Sequence, residues 1–181
     1  MVKGGYEAIL NELERLRPDY VTFSEVRNYC DDFIARVCKD MAKRGVVYYG
    51  FRSDDTGLLS STPITAHKTV LPLKDDHGSI YKLETKVCGR KLALYTSHLD
   101  YLNDTYYEVR GVDVNTFKEM EPLTDVDEIL RRNALSMRDK AIANFLKEAK
   151  RDQERGFITI IGGDFNEPSV QDWTEQTRNM Y

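Results

Sequence analysis

The sequence predicts an α/β fold, a mixed sheet with helices packed outside it. Apolar residues recur at helical spacing in three separated stretches, and short β-branched or alternating runs lie between them. Their order is helix, strand, helix, a run of hairpin strands, then helix and strand, which suits a sheet covered by helices. The 181 residues are enough for one domain with a sizeable core.

Tyr6, Ile9, Leu10, Leu13 and Leu16 form one face of an amphipathic helix that Pro18-Asp19 ends. Tyr20 to Phe23 is a short strand leading into Ser24-Glu25-Val26-Arg27-Asn28. A second helix runs from about Asp31 to Arg44, with Phe33, Ile34, Val37 and Met41 inward and Gly45 as its cap. Val46 to Phe51 reads as a strand. It is followed by a polar loop, Ser53-Asp54-Asp55-Thr56-Gly57, and the segment Leu58 to Ile64. Further strands are expected at Thr65–Pro72, Ser79–Val87 and Lys91–Ser97, the last two joined by a turn at Cys88-Gly89-Arg90. Asp100 to Asp125 has no clear period, and a segment of that length is functional or loosely ordered. One long helix from Val126 to Lys150 follows, then a buried strand, Phe157 to Ile161, and a helical tail around Val170 to Arg178.

Composition narrows the classes. With 41% hydrophobic and 31% charged residues the chain is globular, not disordered. No apolar run approaches a membrane span, and the N-terminus has no apolar signal segment; the compartment stays open. The net charge of −4 means that nucleic-acid contact would need a local basic patch, and Arg131-Arg132 is too small to be one. Cys30, Cys38 and Cys88 suggest neither a disulfide framework nor a zinc site and read as buried reduced thiols. His67 and His77 read as structural.

Three strand ends carry polar chemistry. Glu25 follows the first strand, His98-Leu99-Asp100 follows another, and Gly162-Gly163 leads the last into Asp164-Phe165-Asn166. Strand ends are where α/β sheets place their chemistry, although Asp164, Asn166 and Asp100 are also ordinary turn residues. A metal-dependent phosphoesterase needs such a set. A hard cation prefers oxygen ligands and binds one or two carboxylates. It stabilises charge on the phosphoryl group, while a carboxylate orients water and an imidazole donates a proton. Arg27 and Asn28 could meet a phosphate, but surface ion pairing is the more economical account. Arg138 either pairs with an acidic residue near the site or lies on a solvated helix face, the latter being the simpler reading. Tyr101, Tyr106, Tyr107 and Phe117 either stack on substrate or pack the long loop.

Four segments in order resemble the endonuclease/exonuclease/phosphatase superfamily. Pro18-Asp19-Tyr20-Val21-Thr22-Phe23-Ser24-Glu25-Val26 is similar to its "PDxVxxQEV" segment, Ser60-Ser61-Thr62-Pro63-Ile64 to "LSxxPI", Thr96-Ser97-His98-Leu99-Asp100 to "THLD", and Gly163-Asp164-Phe165-Asn166 to "GDFN". The resemblance implies a four-layer α/β/β/α sandwich with the site at one edge of the packed sheets. It implies Mg²⁺ or Mn²⁺ at Glu25, with Asp164 ligating or activating water. Asn166 would position the phosphate, His98 would stabilise the phosphoryl oxyanion or assist proton transfer, and Asp100 would orient His98 or an arginine. Ser24 stands where the family has Gln. Family members also open with a strand ending in Asn and close with Ser-Asp-His. Neither pattern is present, so residues 1–181 are expected to be one domain incomplete at both ends, lacking terminal strands.

The expected function is metal-dependent hydrolysis of a phosphate ester. Phosphomonoesters, small phosphodiesters and nucleic acid are all open substrates, and the net charge mildly disfavours the last. The alternative is a catalytically inactive binding or scaffold module of the same fold.

Overall fold

In the computed structural model, which describes residues 5–28, 32–75, 77–167 and 175, two sheets stack face to face between helices. α1 (Gly5–Leu16) and α2 (Phe33–Lys43) lie on one side. Their apolar stripes bury Tyr6, Leu10, Leu13, Phe33, Ile34, Val37 and Met41 against Leu59 of the first sheet. α2 stops where the sequence places its cap: Gly45, at φ +77, donates to Ala42 O, and Val46 donates back to Met41 O at 3.0 Å.

The first sheet has the order β1-β3-β2, all antiparallel, built from β1 (Tyr20–Phe23), β2 (Tyr49–Ser53) and β3 (Thr56–Ser60). β3 is a correction to the sequence reading, which left Ser53 to Gly57 as a loop and began β2 too early. It is the central strand and is buried throughout, with Leu59 toward the helices and Leu58 toward the second sheet. Its glycine made it look like a turn. A Cβ on Gly57 would lie 2.6 Å from Ile34 Cδ1, so the glycine marks the close approach of α2.

The second sheet has the order β4-β5-β6-β7. β4 (Ile64–Leu71), β5 (Gly78–Val87) and β6 (Arg90–Leu99) run antiparallel, and β7 (Phe157–Asp164) pairs parallel with β6. The β5–β6 hairpin turns through Cys88 and Gly89, both at positive φ, as a two-residue hairpin demands. Cys88 is therefore exposed and Cys38 half-buried, so the expectation of buried thiols fails for both; Cys30 lies outside the described residues. Leu58, Tyr81, Leu83, Leu92 and Leu94 fill the space between the sheets.

The chain crosses from β6 to β7 through α3 (Thr105–Glu108), α4 (Val126–Asn133) and α5 (Arg138–Glu154). The expected single helix is thus two. The break comes from Asp100, whose buried carboxylate accepts the Met137 N–H at 2.8 Å and the Ser136 hydroxyl at 3.3 Å. Ser136 in turn accepts the Arg138 N–H. α5 restarts on that cap and covers the outer face of the second sheet, packing Ala141, Ile142 and Phe145 on Ile80, Tyr95 and Leu99. The result is four layers, α1 and α2, the three-stranded sheet, the four-stranded sheet, then α5. The helical tail expected at 170–178 falls on residues outside the described ones, apart from 175. Among the described residues no helix is long and apolar enough to cross a membrane.

A charged cluster sits under α5. Lys82 of β5 is buried and donates to Glu84, Glu148 and Asp152 at 2.8–3.0 Å. Arg155 pairs with Glu84 and Asp152, Lys68 with Glu148, and the Tyr95 hydroxyl donates to Asp152. Burial alone would push the Lys82 ammonium down, but the hydrogen bonds to Asp152, Glu84 and Glu148 hold it above the ordinary lysine value. Burial likewise pushes Glu148 up, and Lys68 and Lys82 overcome it, holding that carboxyl at about 2.

Candidate metal centre

The site forms where β1, β6 and β7 end together. Sequence patterning puts Glu25, His98 and Asp164 near strand ends; the two sheets bring those ends into one place. His98 is in β6 and Asp164 is the last residue of β7, and the parallel register sets the two opposite each other. That juxtaposition depends on the Gly162-Gly163 pair. A Cβ at Gly163 would fall 2.1 Å from Ser97 O, and its φ of +143 is one that side chains rarely adopt. A Cβ at Gly162 would meet Thr22 Oγ1 of β1 at 3.3 Å. The glycines let β7 press against β6 and against β1 of the other sheet.

Ser24 ties the three ends. Its hydroxyl donates to Ser97 O at 3.0 Å and accepts the Asp164 N–H at 3.2 Å. Glu25 follows at φ 59, a left-handed conformation that an ordinary side chain adopts at a cost. The Val26 N–H then donates to Asp55 O at 3.0 Å, which fixes the turn after Glu25. The Glu25 carboxylate is exposed and lies 3.9 Å from His98 Nε2. Glu25, His98 and Asp164 each offer one ligand atom, and these atoms lie within 4.8 Å of one another.

His98 is almost buried and held from behind by Asp55, the second turn residue of the β2–β3 hairpin. Asp55 Oδ2 accepts from His98 Nδ1. An ionised carboxylate can only accept, so Nδ1 carries the proton and Nε2 is the nitrogen turned to the cluster. Asp55 is the residue that sequence reasoning missed. Its only signal was a second aspartate directly ahead of a strand, and that strand was itself unrecognised. Arg27 turns to Asp55 as well, with Nε 3.4 Å from Oδ1. The Asn28 side chain is outside what the structure describes.

Asn166 closes the loop after β7. Its N–H donates to Asp164 Oδ1 at 2.8 Å and its Nδ2 to Leu99 O at 2.8 Å, joining the ends of β6 and β7 a second time. Asp100 lies elsewhere. Its carboxylate faces the start of α5 and His77 Nδ1, while Asp55 holds His98. Arg138 is buried, contrary to the solvated face expected of it. It donates to Asp100 O at 2.9 Å, Asn133 Oδ1 at 2.6 Å and Glu167 Oε2 at 3.2 Å. That guanidinium clamps the segments that follow β6 and β7. Of the aromatics in the long segment, Tyr106 lines a cavity beside Glu167, whereas Tyr107 and Phe117 are exposed.

The donor set suits a divalent cation. Two exposed carboxylates converge with an imidazole nitrogen, leaving the remaining positions to water or phosphate oxygen. Oxygen ligation by Glu25 and Asp164 matches Mg²⁺; His98 Nε2 would join as a third ligand more readily for a softer ion such as Mn²⁺.

A family model described as the Endonuclease/Exonuclease/phosphatase family matches residues 2–180. Among solved structures the chain is similar to D. rerio TDP2 complexed with single-strand DNA product, at 16% identity and a TM-score of 0.54. It is similar also to the human Nocturnin catalytic domain with bound sulfate, at 17% and 0.52. A Leptotrichia buccalis endonuclease/exonuclease/phosphatase family protein matches at 15% and 0.54. These matches cover 92%, 91% and 89% of this chain but only 55%, 57% and 59% of those chains. At such identities they show a common fold. A comparison with curated proteins finds no match.

Proposed function

The chain belongs to the endonuclease/exonuclease/phosphatase family, and from that premise we propose that it hydrolyses a phosphate ester with a divalent metal, Mg²⁺ or Mn²⁺, held by Glu25 and Asp164. The convergence of Glu25, His98 and Asp164 at three strand ends carries the reading. The metal, when bound, neutralises charge that builds on the phosphoryl oxygens and lowers the pKa of nearby water. The chain's own groups do the rest. Asp164, exposed and itself part of the cluster, would offer one carboxylate oxygen to the metal and accepts the proton of the attacking water on the other. His98, oriented by Asp55, acts in its doubly protonated form and not as a metal ligand: Nε2 donates to a phosphoryl oxygen and so stabilises the transition state more than the ground state. Asn166 keeps the Asp164 loop in place and has a second amide hydrogen for a phosphate oxygen. Arg27 and Asn28, two and three residues after Glu25 in sequence, are the candidates for an outer phosphate contact.

The test is turnover of phosphomonoesters, phosphodiesters and single-stranded DNA, with Mg²⁺ and with chelator, on this chain and on any longer polypeptide its gene encodes. At least one class should be cleaved only with metal. Silence on all of them sinks the hydrolase reading and leaves a binding module of the same fold.

Asp55→Asn should lower kcat on the order of 10²-fold, the scale of a misoriented acid–base group. Steady-state kinetics check this, with a denaturant titration beside them because Asp55 is buried. An undiminished kcat would remove His98 from the chemistry.

A further inference from the structure

The segments after β6 and β7 both reach a cavity of about 310 Å³ between α3 and α4, the first through α3 and the second through Glu167. One wall is Asp104, Tyr106 and Val109, soon after Leu99; another is Ile129 and Leu130. Glu167 closes it. Glu167 is three residues beyond Asp164, so their Cα atoms are at most about 11 Å apart. Its carboxylate is fixed by Arg138 Nε at 3.2 Å and Asn133 Nδ2 at 3.4 Å, which gives the cavity a rigid end.

The lining sets Tyr106, Val109, Ile129 and Leu130 beside Thr105, Asn133 and the carboxylates of Asp104 and Glu167. Burial pushes the Asp104 carboxyl up. Among the described residues no lysine or arginine lines the cavity; Arg138 is spent on Glu167, Arg132 on Glu108 and Glu128, and Arg110 lies over the Tyr106 ring and donates to its hydroxyl. A second phosphate would meet the Asp104 and Glu167 carboxylates in the lining, whereas an uncharged ring or alkyl group would meet Val109, Ile129 and Leu130. Resting on the hydrolase reading above, we propose that this cavity seats the alcohol portion of the substrate. The substrate class is then a small phosphoester with an uncharged aryl or alkyl group, not a polynucleotide.

Methyl NMR on the Mg²⁺-loaded protein tests this with three non-hydrolysed probes: benzylphosphonate, methylphosphonate and a phosphorothioate tetranucleotide. Benzylphosphonate should shift the Val109, Ile129 and Leu130 methyls saturably and bind at least about tenfold tighter than methylphosphonate. Leu130→Trp, at an exposed position of the wall, should bring that preference near parity. Equal affinity of the two phosphonates with silent α3 and α4 methyls overturns the cavity alone and spares the metal site. A tetranucleotide that moves those methyls and outcompetes benzylphosphonate overturns it in favour of nucleic acid. Failure of every probe to bind overturns both readings.

Discussion

Asp164→Asn is expected to cut metal-dependent hydrolysis by about 10³-fold or more while leaving the fold standing. Asp164 ends β7, is exposed, and is one of three groups converging on the cluster. Asparagine keeps the oxygen that accepts the Asn166 N–H, so the loop after β7 retains its turn. What goes is the negative charge and the proton acceptor. Asp164→Ala removes the turn as well, and the comparison separates charge from positioning. Both variants should unfold within about 1 kcal/mol of wild type, because an exposed side chain carries little packing. The measurements are kcat/KM on the best substrate and Mn²⁺ titration by electron paramagnetic resonance. Wild-type values for both variants would place the metal and the chemistry elsewhere.

Lys82→Met is expected to cost about 3–5 kcal/mol of stability, the scale for removing one partner of a buried ion cluster. Glu84, Glu148 and Asp152 converge on that ammonium from β5 and α5, and Lys68 and Arg155 reach only the outer side of the cluster. Against a total of about 5–15 kcal/mol this is a large fraction, and the melting temperature should fall by roughly 6–20 °C. The pH dependence gives a second check. Glu84 and Glu148 are held below their ordinary value in the folded chain, Glu148 at about 2. Their contribution is present above about pH 4.3, the unfolded value, and is lost as pH falls through the folded one. Lys82 is held high, so its contribution is full below about pH 10.4 and is lost as pH rises through the folded value. In Lys82→Met the carboxylates lose their inner counterion, so protonating them costs the variant less than the wild type. The stability gap, read by denaturant titration, should therefore narrow between about pH 4.3 and 2. A gap of constant size would mean that Lys82 acts by packing alone.

The layers were legible because their causes are local. An amphipathic helix such as α1 announces itself by a stripe within three turns, and β5 and β6 by alternation around a Cys-Gly turn. The four-layer arrangement rested on the resemblance, and the structure supplies its physical basis in three separate apolar clusters, one at each layer boundary. β3 was hidden because its glycine serves a helix packed above it rather than a turn. The division of the long helix was hidden because Ala134, Leu135 and Met137 keep a helical period, while the carboxylate that interrupts it lies 37 residues away.

By itself the sequence determined that Glu25, His98, Asp164 and Asn166 sit at or near strand ends, since strand periodicity and the glycine break are properties of a few adjacent residues. Only the tertiary structure decided what each of them touches. Asp55 reaches His98 across 43 residues and from the other sheet, Ser24 bridges three strands, and Arg138 leaves solvent to clamp two loops. Those roles arise when desolvated polar groups must find partners wherever the packed layers bring one within reach, and no local pattern encodes that choice.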